Sequence, residues 1–231
     1  MRAALQGRDT DILMHVARYR ITSLELVHKL FFPQQTAEAA RSVLRRLNGP
    51  FGFLQSRPLY GKLLYYQLNP RGAREFGEPV ESTKPLGPQA LPRAFGVVMR
   101  CCTTTEPQKR ITRNEFESAC RSLFEAGVPF NDFFLATAAE GTQHFFRIVV
   151  DLGGDADRLV RKLLQIRSAY SEVPAMLSIL DEGRFGFSLV TTSTSKEEAI
   201  LKAVDRFNVP TRVETFVLPE LGNLLPDFYA C

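Results

Sequence analysis

Apolar residues recur at a helical period through the N-terminal part of the chain, and the breaks between repeats fall on Pro, Gly and Asn. Ile12, Leu13, Val16 and Tyr19 share one face of a helix predicted over residues 9–19, with Asp9 as its cap. Thr22 and Glu25 form a capping box ahead of Leu24, Val27, Leu30 and Phe31. Pro33 ends that helix by turning Phe32 out of the helical region. Thr36 caps a helix over 37–47 with Ala40, Val43, Leu44 and Leu47 as its apolar stripe, and Asn48, Gly49 and Pro50 stop it. Strands over 52–57 and 62–68 follow, joined by a turn at 58–61. Asn69 and Pro70 then open a closing helix, with Pro in its first turn.

Residues 78–93 carry Pro79, Pro85, Pro88 and Pro92, a spacing that forbids a continuous helix or a central strand and predicts a semi-rigid linker. Beyond it, Val97, Val98 and Met99 predict a strand over 94–102. Thr112 and Glu115 form a second capping box, opening a helix over 113–126 that Gly127 ends. Strands over 130–137 and 144–151 are joined by a turn at 138–142, and Gly153 and Gly154 break the second strand. Asp155 caps a helix to Tyr170 with Leu159, Leu163, Ile166 and Tyr170 inward. A loop around Pro174 leads to a strand over 185–192, a helix over 196–207 boxed by Ser195 and Glu198, and a last strand over 212–218. This order predicts a mixed sheet flanked by helices. The expectation is an α+β chain with domains at 1–77 and 94–231 and a linker at 78–93.

Two short helices, a tight turn and a hairpin outline a winged helix-turn-helix, whose second helix lies in the DNA major groove. On the helix over 37–47, Arg41 and Arg45 stand four apart and share a polar face, with Ser42 and Arg46 nearby. Ser42 suits a base edge, and Arg57 and Lys62 flank the hairpin tip, where a wing reaches backbone phosphates. Residues 1–77 hold 12 Lys and Arg against 5 Asp and Glu, while the whole chain holds 29 against 25. Positive charge is therefore concentrated in this part, as counterion release from a phosphate backbone requires. The same outline also serves protein docking or dimerisation.

Composition narrows the classes. At 231 residues, 45% hydrophobic and 23% charged, the chain reads as ordinary globular protein. No apolar run reaches membrane-spanning length and the N-terminus lacks a secretory apolar region, so a cytoplasmic location without membrane partners is expected. Cys101, Cys102, Cys120 and Cys231 form no CxxC pair, and His15, His28 and His144 are scattered. Core or free thiols are expected and no metal site. No P-loop, GxGxxG, GxSxG or Cys–His grouping is present.

The one chemistry the second half suggests is Mg²⁺-dependent phosphodiester cleavage, which needs clustered carboxylates and a Lys near the attacking water. The candidates are Glu115, Asp132, Asp151 and Lys162. Counting back from the turn sets Asp132 opposite Ile148, leaving Asp151 a few residues off, and Glu115 is already explained as a helix cap. Mg²⁺ enters only with this reading; otherwise no cofactor is called for.

The segments RITSLELVHKLFF, RSVLRRLN and YYQLNPRGAREFG, followed by PFNDFFLATAAEGTQHFFRIVVDLG and RLVRKLLQIRSAY, resemble the replication-relaxation family. These are winged-helix proteins of plasmids and other mobile elements. In that family a Pro-Asp strand precedes a Glu-x-Asp strand and a Lys-containing helix ending in Tyr, in a region that looks restriction-endonuclease-like. Here Asn131 replaces the Pro and Val149 replaces the Glu, while Asp132, Asp151 and Lys162 match. The resemblance therefore implies a nuclease-like scaffold that is catalytically inert, because hard cations need the missing oxygen ligand.

The leading expectation is a DNA-binding accessory or regulatory protein of plasmid replication, mobilisation or transcription. Its partners would be double-stranded DNA and either a second protomer or a replication or mobilisation protein. The alternatives are a Mg²⁺-dependent DNA nuclease and a protein-interaction adaptor.

Overall fold

The computed structural model describes residue 5 and residues 7–50, 52–106, 108–130, 132–137 and 141–225. Asn131, positions 138–140 of the expected turn, and Cys231 lie outside the described residues. The fold is mixed α+β, with an antiparallel sheet of three strands and a mixed sheet of four. The chain divides into two compact units, Met1–Val98 and Met99–Cys231.

The first unit begins with α1 (Gly7–Tyr19), then β1 (Thr22–Ser23), α2 (Leu24–Phe31) and α3 (Ala37–Leu47). A hairpin of β2 (Leu54–Pro58) and β3 (Leu64–Leu68) follows, and α4 (Pro70–Glu75) closes it. The strands lie in the order β1-β3-β2, all antiparallel. Ala40, Leu44 and Leu47 of α3 pack with Ile12, Leu13 and Val16 of α1 and Leu54 and Leu68 of the hairpin. Leu44 is fully enclosed, a burial that contributes about 2 kcal/mol. The bounds of α3 match the sequence expectation, because its period and its stop signal agree.

Several caps differ from expectation. Thr36 and Asp155 stand at the N-caps of their helices without a side-chain capping bond. Asp9 lies inside α1, buried, and does not cap it. Ser23, not Thr22, caps α2, its Oγ accepting from the Leu26 N–H at 3.2 Å. Thr22 is extended instead and pairs with Tyr66, so the two-residue strand displaces the cap by one position.

The Pro-rich stretch is not a linker. It carries a 3₁₀ turn (Val80–Thr83) whose Thr83 carbonyl accepts from Gln55 Nε2 at 2.7 Å and from Gln67 Nε2. Prolines forbid a long helix there but permit a turn, and the buried Gln67 amide, with the half-buried Gln55 beside it, needs an acceptor. The run expected as a strand over 94–102 is helical, α5 (Ala90–Cys102). A short apolar run does not distinguish strand from buried helix, and Pro92 sits in the first turn, where its missing N–H costs nothing. The boundary between the units falls in α5 and not in 78–93.

The second unit continues with α6 (Arg113–Ala119) and α7 (Arg121–Glu125), one expected helix broken at Cys120. The Thr112–Glu115 capping box is present in both directions. The hairpin of β4 (Phe133–Thr137) and β5 (Gln143–Val150) leads through α8 (Ala156–Ser171) and α9 (Pro174–Asp181) to β6 (Phe185–Thr191). Next come α10 (Thr194–Arg206), β7 (Arg212–Val217) and a 3₁₀ turn (Pro219–Leu224). The loop expected around Pro174 is thus a helix with Pro in its first turn. Ser193, not Ser195, caps α10, accepting from the Lys196 N–H at 3.2 Å. Strand order is β4-β5-β6-β7, with β4 antiparallel to β5 and the remaining pairs parallel. One sheet face carries Phe133, Phe145, Val149, Phe187 and Leu189 into a core shared with Val160 and Leu163 of α8 and Ile200 of α10.

Candidate nucleic-acid interface

Helix α3 is held from three sides. Its apolar stripe enters the core of the first unit. At its start, His28 Nε2 of α2 donates to the Gln35 carbonyl at 2.8 Å, fixing the turn between the two helices. At its end, Asn48 Nδ2 donates to Ser56 Oγ of β2 at 3.1 Å. The face that remains carries Arg41, Ser42 and Arg45.

The three arginines of α3 do not share one role. Arg46 donates from Nη1 and Nη2 to the two carboxylate oxygens of Asp9, at 2.9 and 2.7 Å. Asp9 is 1% exposed. This two-pronged bond to a buried acid fastens α3 to α1, so Arg46, expected among the DNA contacts, is engaged in a structural ion pair. Arg41 and Arg45 both pair with Glu38 on the first turn of the same helix, Arg45 at 3.5 Å. All three side chains of that group are well exposed, between 43% and 72%. Such surface pairs contribute at most about 1 kcal/mol and are screened by salt, so a polyanion can displace Glu38.

Two residues flank the hairpin tip as expected, in different settings. Lys62 is exposed beside Gly61, whose φ of +54° lets the chain reverse. The reversal runs through residues 59–63, where Leu59 N–H donates to the Leu63 carbonyl at 2.8 Å. Arg57 is half-buried, its Nη2 donating to Gln55 Oε1 at 3.3 Å.

Tyr66 belongs to this face and was not picked out from sequence. Burial is the main cause that raises its phenol above the ordinary range, while nearby Arg41 and Arg45 pull it down. It stays a neutral hydroxyl donor beside two guanidiniums. The available signal was alternation: Tyr66 stands two positions before the core residue Leu68 on β3 and so shares its face.

The four residues considered for metal chemistry in the second unit are not brought together. The Ile148 N–H donates to the Asp132 carbonyl at 2.7 Å, so the register matches the count from the turn. Asp151 lies three residues further on, roughly 10 Å along the strand. Alternation also separates them: Asp132 falls on the side of Phe134, and Asp151 on the side of Val149. Asp132 accepts from Arg110 Nε at 2.8 Å. Asp151 accepts from the Gly153 N–H at 3.0 Å and from Thr191 Oγ1 at 3.3 Å, with Lys196 Nζ at 4.0 Å. Glu115 is occupied by its capping box, and Lys162 is exposed on α8. Among the described residues no group of three or more His, Cys, Asp or Glu is arranged to hold a metal ion. No helix among them is long and apolar enough to cross a membrane.

No protein-family model, curated protein or solved structure matches the chain.

Proposed function

We propose that the chain is a DNA-binding accessory or regulatory protein whose first unit works as a winged helix-turn-helix. The element order α1-β1-α2-α3-β2-β3 with strand order β1-β3-β2 supports this reading. The observation that carries it is the division of labour on α3. Arg46 is spent on holding the helix, while Arg41, Ser42 and Arg45 are left on its outer side, with Tyr66 beside the two arginines and Lys62 exposed at the hairpin tip. In this reading Arg41 and Arg45 meet phosphates and base edges, and Ser42 contacts a base edge.

The resemblance to replication-relaxation proteins supports a setting in plasmid replication, mobilisation or transcriptional control. The second unit, with its unassembled carboxylates, then serves as a nuclease-like scaffold without cleavage chemistry. Its role is to dock DNA shape, a second protomer or a partner protein.

The test is binding to fluorescent duplex DNA across a salt series, beginning at about 50 mM. The combined Arg41→Ala and Arg45→Ala variant should bind more weakly, with a log–log salt slope lower by about 1.8. Equal affinity of wild type and variant at low salt overturns the reading and favours a protein-docking role. Sequencing of genomic DNA retained by the protein then identifies the site.

A further inference from the structure

A cleft of about 430 Å³ opens within the second unit, bordered by β4, β5 and β7 and by the end of α5 with the loop after it. It lies on the sheet face opposite the α8–α10 core, because its floor residues alternate with the core residues of the same strands. The proposed DNA surface contributes nothing to it.

A single row of residues crosses all four strands here. Phe134 pairs with Phe146, Phe146 with Gly186, and Gly186 with Arg212. The rings of Phe134 and Phe146 are stacked at 5.1 Å with 7° between their planes. Gly186 has no alternative, since a Cβ there would collide with the Phe146 ring. The missing side chain lets that ring spread across β6 toward β7.

Two guanidiniums stand on this aromatic floor. Arg100 lies 4.7 Å from the Phe134 centroid and Arg212 lies 5.3 Å from the Phe146 centroid. Arg100 is 8% exposed and rigidly held: Nε donates to Ser188 Oγ at 2.7 Å and Nη2 to Glu214. Its Nη1 has no hydrogen-bond partner among the described residues. Arg212 is exposed and pairs with no acid among the described residues. Planar guanidiniums layered on rings offer a flat stacking surface together with forked donors.

We propose that this cleft binds an aromatic carboxylate of one or two rings. The ring lies against the guanidinium and phenylalanine layers, and the carboxylate accepts from Arg212 and from Nη1 of Arg100. The charge lining the cleft selects a monoanion. Glu214 already neutralises Arg100 and Glu106 borders the opening, so a second negative charge finds no unpaired cation beyond Arg212 to offset its desolvation. The volume suits a small organic ligand.

The 231-residue chain titrated with naphthoate tests this directly. The chain has no Trp, so the fluorescence of the ligand is read without indole background. Naphthoate should bind saturably and raise the thermal midpoint, and its neutral counterpart naphthamide should bind about tenfold more weakly or worse. Arg212→Ala, at the exposed first position of an edge strand, should fold normally and weaken naphthoate by about tenfold or more. Arg212→Lys, which keeps charge but loses the planar fork, should also weaken it. No saturable binding to wild type overturns the proposal. So does unchanged affinity in Arg212→Ala, or adenosine monophosphate binding more tightly than naphthoate. These outcomes are independent of whether the first unit binds DNA.

Discussion

Arg46 and Asp9, 37 positions apart in sequence, are joined by two parallel charge-assisted hydrogen bonds, and only the acid is buried. The consequence is an asymmetry. Asp9→Ala frees an arginine that is 43% exposed and can turn to water, costing about 1–2 kcal/mol. Arg46→Ala leaves a buried carboxylate short of two charge-assisted bonds, costing about 2–4 kcal/mol. Urea denaturation of both variants measures the difference, and equal losses would mean that water reaches Asp9.

Glu38 holds both Arg41 and Arg45 in the absence of DNA. Glu38→Gln should therefore tighten duplex binding by about two- to fivefold at low salt, the equivalent of releasing one weak surface pair. The same substitution removes a negative charge from the first turn of α3 and should lower stability by less than about 1 kcal/mol. Opposite signs for binding and stability, read by anisotropy and by denaturation, distinguish this from a general loss of structure. A Glu38→Gln protein that binds no better would show that Glu38 does not compete with DNA.

Acid should loosen the first unit through His15. The ring is packed against Tyr19 and Phe31, its Nε2 is buried without a hydrogen-bond partner among the described residues, and burial, assisted by Arg18, lowers its pKa from 6.5 to about 4. Between these values the unfolded chain takes up a proton that the folded chain refuses, so stability is full above about pH 6.5 and falls as pH drops toward 4. The loss amounts to on the order of 3 kcal/mol. The His15→Leu curve should stay level where the wild-type curve falls, so the variant gains on wild type by on the order of 3 kcal/mol as pH drops from 6.5 to 4. Parallel curves would mean that His15 contributes no linkage.

Gly52 is the point where α3 turns into the hairpin. Its N–H donates to the Gly49 carbonyl, and that of Phe53 donates to the Leu47 carbonyl, both at 2.8 Å. A Cβ at Gly52 would run into the Leu47 carbonyl, which is backbone and cannot move aside. Gly52→Ala should cost about 3 kcal/mol or more and change the orientation of the hairpin relative to α3. Thermal unfolding together with DNA binding of the surviving folded protein checks both effects.

Legibility from sequence followed the range of the interaction. The limits of α3, the Thr112–Glu115 box and the pairing of Asp132 with Ile148 were all readable, because each is set by residues close in sequence or by counting from a turn. α5 was misread because Val97, Val98 and Met99 satisfy either element. The stretch 78–93 was misread because the acceptor role of Thr83 depends on Gln55 and Gln67 in another element. The sequence shows that α3 carries three arginines but not that one of them is tied to Asp9. Nothing near Arg46 in sequence distinguishes it from Arg41 and Arg45.

The sequence by itself determined most of the helices, the two hairpins and where positive charge accumulates, since propensity, capping and turn chemistry act over a few residues. Tertiary structure alone decided which arginine is consumed by Asp9, that Asp132 and Asp151 face apart, and that Gly186 makes room for the Phe146 ring beside Arg212. Those outcomes depend on which strand lies beside which and on the sheet face each side chain takes, and short-range chemistry carries no information about either.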